Sequence, residues 1–289
     1  MRAPPWLMLS WVLLSVPPIH AVLIDSGDGT GNTSAPSPDP GWDHVGTPGG
    51  KTAVYLGNGV VLTADHVGPG DLRLGGVVYP LVPGSDVRID NGDGTEADLV
   101  LFAVHPQPPL PPLTIAASPP SVGTPVVMIG RGRNRGAATS WDPDGGLPFN
   151  ELDGYEWAAG STIRWGTNEI SDLPGERVFD TEVIETVFDA SGTVHEAQAV
   201  NGDSGGALFV WDGGSAELAG ILLAVGYFEG QPPETSFYTQ TTIAADLSFY
   251  RDQIEDAVAM PEPGSAGLAL GAGLLLALAA ARRPSRRGD

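Results

Sequence analysis

Hydrophobic positions along this 289-residue chain fall in short runs, rich in branched side chains and broken by turn-forming residues, and few of them repeat every three to four residues. Thr52 to Leu56, Val60 to Thr63, Leu72 to Leu74, Val77 to Val82 and Leu99 to Val104 are each separated from the next by Gly, Pro, Asn or Asp. That pattern predicts short strands joined by tight turns. Further strands are predicted over Pro125 to Ile129, Ser161 to Trp165, Val178 to Val187, Ala207 to Trp211, Leu218 to Val225 and Phe237 to Thr241. One segment departs from the rule. Leu247, Tyr250, Ile254 and Val258 recur at helical spacing, predicting a helix from Ile243 to Ala259 that Pro261 closes. The expected fold class is all-β with a C-terminal helix.

Breaks in the pattern divide the chain. Pro106 to Pro112 is a proline-dense crossing that no central strand tolerates, so the body is expected to split into two halves near residues 106–123. Residues 22–47 are turn-rich, with Asp25, Gly27, Asp28, Gly29 and Gly31 ahead of closely spaced prolines, and read as a flexible N-terminal segment. Residues 1–21 carry Arg2, an apolar run from Trp6 to Val16, a Pro17-Pro18 break and a small Ala21. This is the pattern of a secretory signal peptide with the mature chain starting at Val22; an uncleaved anchor is the alternative, but the apolar run is short for a bilayer span.

At the other end stand Pro261-Glu262-Pro263, an apolar stretch over 264–281, and an arginine cluster from Arg282 to Arg287. In that order they resemble the PEP-CTERM sorting tail of exported bacterial proteins, over residues 261–289. The resemblance implies a transmembrane segment at 264–281 and cutting by an exosortase-type transpeptidase. A permanent anchor is the competing reading. Both place the body outside the cytoplasm, with the trailing arginines inside.

Composition narrows the partners. Forty glycines and 27 prolines support many short strands and turns. A formal net charge of -21 argues against nucleic acid or an anionic membrane as partner of the folded part, leaving the C-terminal segment as the one membrane contact. With no cysteine, disulfides and thiolate metal sites are excluded. His20, His44, His105 and His195 show no metal-ligand spacing, and the acidic turns at Asp25 to Gly29 and Asp90 to Glu96 do not complete a calcium loop. Neither a metal nor a cofactor is expected. Tyr155, Trp157 and Trp165 read as packing residues.

Three motifs carry chemistry. Gly202-Asp203-Ser204-Gly205-Gly206 puts a serine on a glycine-flanked turn, where its hydroxyl and nearby N–H groups can face one substrate carbonyl. Val60 to Thr63 runs into Ala64-Asp65-His66, a histidine just past an apolar strand. Asp98 heads the strand Leu99 to Phe102 and would be drawn inward with it, so it needs a partner.

Together these resemble the trypsin/chymotrypsin family of serine proteases, in its order His66, Asp98, Ser204. Val127-Met128-Ile129-Gly130-Arg131-Gly132 resembles the strand that opens the family's second barrel, and the likeness covers residues 48–260. It implies two six-stranded antiparallel Greek-key barrels and endopeptidase activity on protein or peptide substrates. His66 would be the general base, Asp98 its orienting partner and Ser204 the nucleophile, with the N–H groups of Gly202 and Ser204 as the oxyanion hole. Gly202 is expected to be glycine because a side chain would crowd the substrate. Gln198 and Gly226 would stand at the base and wall of the specificity pocket. Asp203 has two readings: it pairs with a freed N-terminus, or it only accepts backbone hydrogen bonds, since no Ile-Val-Gly-Gly start is present. A surface-attached, non-catalytic binding or structural protein on the same scaffold is the alternative function, and an HtrA-like protease lacks support because nothing after Val258 supplies a peptide-binding domain.

Overall fold

The computed structural model describes residues 22–143, 151–175 and 177–259. The expected leader over 1–21 and the expected tail with its 264–281 segment lie outside the described residues. Among the described residues, no helix is long and apolar enough to cross a membrane.

The first element, β1 (Leu23–Ile24), belongs to neither half of the N-terminal sequence around it: it pairs antiparallel with a late strand, placing Leu23 opposite Gln198. The N-terminal half follows as β2 (Val45–Pro48), β3 (Ala53–Gly57), β4 (Val60–Thr63), β5 (Leu72–Leu74), β6 (Val77–Tyr79), β7 (Val87–Asp90) and β8 (Glu96–Ala103). These form one antiparallel sheet in the order β6-β5-β2-β3-β4-β8-β7. It has seven strands where six are expected, and β7 joins it by pairing Val87 with Leu101, Arg88 with Val100 and Asp90 with Glu96 of β8.

The strands β3, β4 and β8 are apolar on both faces, and the structure gives the reason. Side chains alternate across a strand. Val54, Leu56, Leu62, Leu99 and Leu101 point to the large core shared with the other half, whereas Ala53, Tyr55, Val61, Phe102 and Val104 fill a second core with Leu72 and Leu74. A strand buried twice reads as a continuous apolar run.

The C-terminal half contains β9 (Pro125–Gly130), β10 (Asn134–Trp141), β11 (Leu152–Ala158), β12 (Arg164–Asp172), β13 (Val183–Val187), β14 (Ala197–Gln198), β15 (Ala207–Asp212), β16 (Ser215–Val225), β17 (Thr235–Phe237) and β18 (Thr241–Asp246). Six of these close a barrel in the order β12-β13-β18-β16-β15-β9. The hairpin β10 and β11 stands outside it and pairs with β17 as a separate three-stranded sheet. Helix α1 (Leu247–Ala259) is capped by Asp246, whose Oδ1 accepts from the Ser248 N–H at 2.9 Å and hydroxyl at 2.7 Å. The predicted helix start at Ile243 is therefore four residues early: Thr241–Asp246 is β-branched and lies between β13 and β16. Leu247, Tyr250 and Ile254 then bury the helix in the shared core.

Within residues 22–47, expected to be flexible, the first residues pack against the body while most of residues 27–39 are exposed. Val22, Leu23 and Ile24 are buried, and Arg135 donates to the carbonyls of Ile24, Asp25 and Gly27 at 3.0, 2.6 and 2.7 Å. The aromatic cluster is packing, as its sequence context suggests. The Trp157 and Trp165 indole N–H groups donate to Ser236 Oγ and the Ser34 carbonyl, each at 2.8 Å, and Tyr155 and Tyr238 both donate to Asp25.

Candidate active site

Strand pairing brings His66 to Asp98. β4 and β8 run antiparallel with Thr63 opposite Val100, so extending that register puts Asp65 beside Asp98. The Asp65 N–H does donate to the Asp98 carbonyl at 3.2 Å. The Asp98 carboxylate then takes both donors of the next residue: Oδ1 accepts the His66 N–H at 2.9 Å and Oδ2 lies 2.6 Å from Nδ1 of the ring. A carboxylate holding the Nδ1 proton leaves Nε2 free as the basic nitrogen. The imidazole is 45% exposed and the Asp98 side chain 13%, so the base faces solvent from a shielded anchor. From the other half, the Thr181 hydroxyl accepts the Asp98 N–H at 2.8 Å.

One partnership next to this pair is not visible in the sequence. Arg88 on β7 holds Asp65 with Nη2 to Oδ2 at 2.6 Å and reaches Glu96 at 3.1 Å. The acidic neighbour of His66 is thus charge-paired on the surface.

The Ser204 turn is built from glycines because three chains meet there. Gly205 has φ +84°, and a Cβ on it would collide with the Thr52 carbonyl and the Thr63 hydroxyl. Gly206 is wedged against the Ile129 and Asp203 carbonyls. Gly202 has φ +102°, which disfavours any side chain, and a Cβ there would sit tightly, 3.1 Å from Gly132 Cα.

Two peptide planes in the turn are pinned. The Asn201 carbonyl accepts from the Arg133 N–H at 3.0 Å, and the Asp203 carbonyl accepts from the Gly206 N–H at 2.7 Å. In a trans peptide the N–H points opposite its carbonyl. The N–H groups of Gly202 and Ser204 are therefore turned away from those contacts, and among the described residues neither has an acceptor. Both N–H groups stand on the turn that carries the Ser204 hydroxyl.

Ser204 Oγ donates to the Leu223 carbonyl at 3.2 Å, and no hydrogen bond joins it to His66 among the described residues. The two still share a corner. Lys51 Nζ donates to the His66 carbonyl at 3.3 Å, while the adjacent Thr52 donates its hydroxyl to the Gly202 carbonyl at 3.1 Å.

Asp203 is fully buried. Its carboxylate accepts from Gly132 N at 2.6 Å, Val200 N at 2.8 Å and Val22 N at 3.3 Å. Burial pushes its pKa up to about 7 against those amide contacts. Gly130 and Gly132 are glycine because a Cβ on either would strike this carboxylate. The Val22 contact was not legible from residue types alone.

Gln198 on β14 is buried, with Oε1 lacking a hydrogen-bond partner. Gly226 donates to the Thr241 carbonyl and accepts from Gln240 Nε2, both at 2.9 Å. Neither is hydrogen-bonded to Ser204.

A family model described as Trypsin-like peptidase domain matches residues 51–221. Among solved structures the chain is similar to neuropsin, a serine protease expressed in the limbic system of mouse brain, at 19% identity and a TM-score of 0.52, covering 78% of this chain and 97% of that one. It is also similar to kallikrein-related peptidase 10 in complex with Zn2+, at 17% identity and a TM-score of 0.49, covering 76% and 96%. A further similarity is to the inactive form of the Rv3671c protease of M. tuberculosis, at 17% identity and a TM-score of 0.44, covering 76% and 91%. No curated protein matches the chain by sequence. The likeness to neuropsin bears on the fold, which is trypsin-like.

Proposed function

The chain belongs to the trypsin-like peptidase family, and from that premise we propose that it is an exported serine endopeptidase acting through an acyl-enzyme on Ser204. His66 Nε2 takes the Ser204 proton as Oγ attacks the scissile carbonyl, then delivers it to the leaving amine. Asp98 holds the ring tautomer and stabilises the imidazolium that forms. The Gly202 and Ser204 N–H groups receive the oxyanion, each worth roughly 3 kcal/mol of transition-state stabilisation. For attack, the Ser204 hydroxyl must leave the Leu223 carbonyl and turn to His66.

What supports this reading most is the pair of pinned, unspent N–H donors beside a hydroxyl, close to a histidine whose Nδ1 is 2.6 Å from Asp98. Gln198 and Gly226 belong to the same reading, as base and wall of the pocket for the residue before the cut. The neutral amide at Gln198 disfavours a strict preference for Arg or Lys there.

Export rests on the sequence of the ends. A leader cut before Val22 and a tail of the PEP-CTERM kind, cut near Pro261 by an exosortase-type enzyme, put residues 22–260 outside the cytoplasm. Profiling cleavage of a peptide library by the secreted protein tests the activity and the pocket together. Cleavage by the parent and none by Ser204→Ala is expected. Equal profiles for both, or no cleavage by a folded parent, would return the chain to the binding or structural reading.

A further inference from the structure

Thr52 is fully buried at the joint between the two halves, and both its hydroxyl and its carbonyl are committed. Its Oγ1 lies 3.1 Å from the Arg131 N–H and 3.1 Å from the Gly202 carbonyl. An amide N–H can only donate, so the hydroxyl accepts there and its single proton must go to Gly202. The Thr52 carbonyl in turn accepts the Thr63 hydroxyl at 2.7 Å, from the end of the strand that leads to His66. Gly205 rests against the same carbonyl and hydroxyl.

We infer that Thr52 is a positioning residue for the oxyanion-binding turn. Gly202 has φ +102°, a conformation reached by few residues, and it is held from both sides. The Arg133 N–H fixes the peptide before it, which carries the Gly202 N–H; the Thr52 hydroxyl fixes the peptide after it through the Gly202 carbonyl. The Asp203 N–H also ties that second peptide to the Val200 carbonyl at 3.0 Å, so losing the Thr52 hydroxyl leaves it one anchor of two, and the slack on one side of Gly202 strains the turn and shifts its N–H against a developing oxyanion. Because Thr52 also holds Thr63, one residue sets the nucleophile turn of one half against the histidine loop of the other. This inference rests on the proposed peptidase activity, whose oxyanion donors Thr52 serves.

The test compares the parent chain with Thr52→Val, which keeps the shape and removes the hydroxyl, and with Thr52→Ser, which keeps the hydroxyl. Turnover of a peptide reporter is measured with the inhibition constant of a peptide aldehyde. Ser204 Oγ adds to the aldehyde carbon, its proton passes through His66, and the resulting hemiacetal oxygen occupies the oxyanion position. Thr52→Val should lower kcat about tenfold, short of the roughly 10²–10³-fold loss for deleting an oxyanion donor outright. KM should stay within about twofold, and aldehyde affinity should fall with kcat, because the interaction is made in the transition state. Thr52→Ser should restore both.

Should Thr52→Val melt below the assay temperature, Thr52→Ala and Thr52→Ser give the same comparison, since they differ only in the hydroxyl. Unchanged kcat and aldehyde affinity without the hydroxyl, or an equal loss with and without it, overturns the inference. A parent that is folded yet inert toward both a fluorophosphonate and the reporter overturns the peptidase reading itself, a separate result.

Discussion

The main-chain nitrogen of Val22 lies 3.3 Å from Oδ1 of Asp203, 181 residues further along the chain, and both residues are sealed from solvent. Val22 is also the residue at which the leader pattern predicts the mature chain to begin. While Val22 is joined to Ala21 its nitrogen is an amide, and burial holds Asp203 up at about 7. Once it is the N-terminus, the same nitrogen is an ammonium beside a buried carboxylate.

The two forms should therefore respond oppositely to pH. With residues kept ahead of Val22, Asp203 has a folded pKa of about 7 against an ordinary 3.8. A raised folded value means the native state holds the proton longer, so that contribution to stability is present at low pH and lost as pH rises from about 4 to about 7. A chain starting at Val22 keeps its ion pair through that window and loses it only as the amine deprotonates, above roughly pH 8. Melting temperatures of both forms from pH 4 to 9 check this. Parallel profiles would count against the pairing.

Gly130→Ala and Gly132→Ala should each destabilise the fold, because their Cβ atoms meet the Asp203 carboxylate where it has no room to move. Overpacking of this kind costs about 1–3 kcal/mol, or roughly 2–4 °C of melting temperature per kcal/mol for a domain of this size. Gly31→Ala, which meets nothing within 4 Å, is the control and should melt like the parent. Thermal denaturation decides between them.

The Asp98 carboxylate accepts two donors from His66, and Asp98→Asn leaves only one acceptor oxygen. The amide then forces the wrong imidazole tautomer, and the rate of fluorophosphonate labelling should drop about 10⁴-fold while the far-UV circular dichroism is unchanged. A rate within about tenfold of the parent would argue that His66 does not act through Asp98.

Much of this site is legible in the sequence. His66, Asp98 and the Ser204 turn stand in motifs whose residue types are forced by local chemistry, so their order alone points to one fold. What the sequence concealed depends on distant contacts. The β10 and β11 hairpin is half-exposed and mixes Gly, Arg, Thr and Trp without alternation, so neither strand announces itself. Val22 reaches Asp203 only through the pairing of β1 with β14, which no local pattern encodes. Thr52 looks like the first residue of a strand until its hydroxyl is seen bridging Arg131 and Gly202.

Removing residues 261–289 should leave peptidase activity intact and change retention at the cell surface. Helix α1 ends at Ala259, and its last turn is already tied to the body where Asn58 Nδ2 donates to the Val258 carbonyl at 2.9 Å. Fractionation of cells expressing the full and shortened chains checks the prediction. Identical distribution would remove the support for a sorting tail.

The most direct measurement is the intact mass of the secreted protein after reaction with a fluorophosphonate, followed by peptide mapping. Oγ attack displaces fluoride from phosphorus, so the account predicts a single phosphonyl adduct on the peptide containing Ser204, with none on Ser204→Ala. A folded parent that takes up no adduct, or one that carries it equally well without Ser204, would contradict the account.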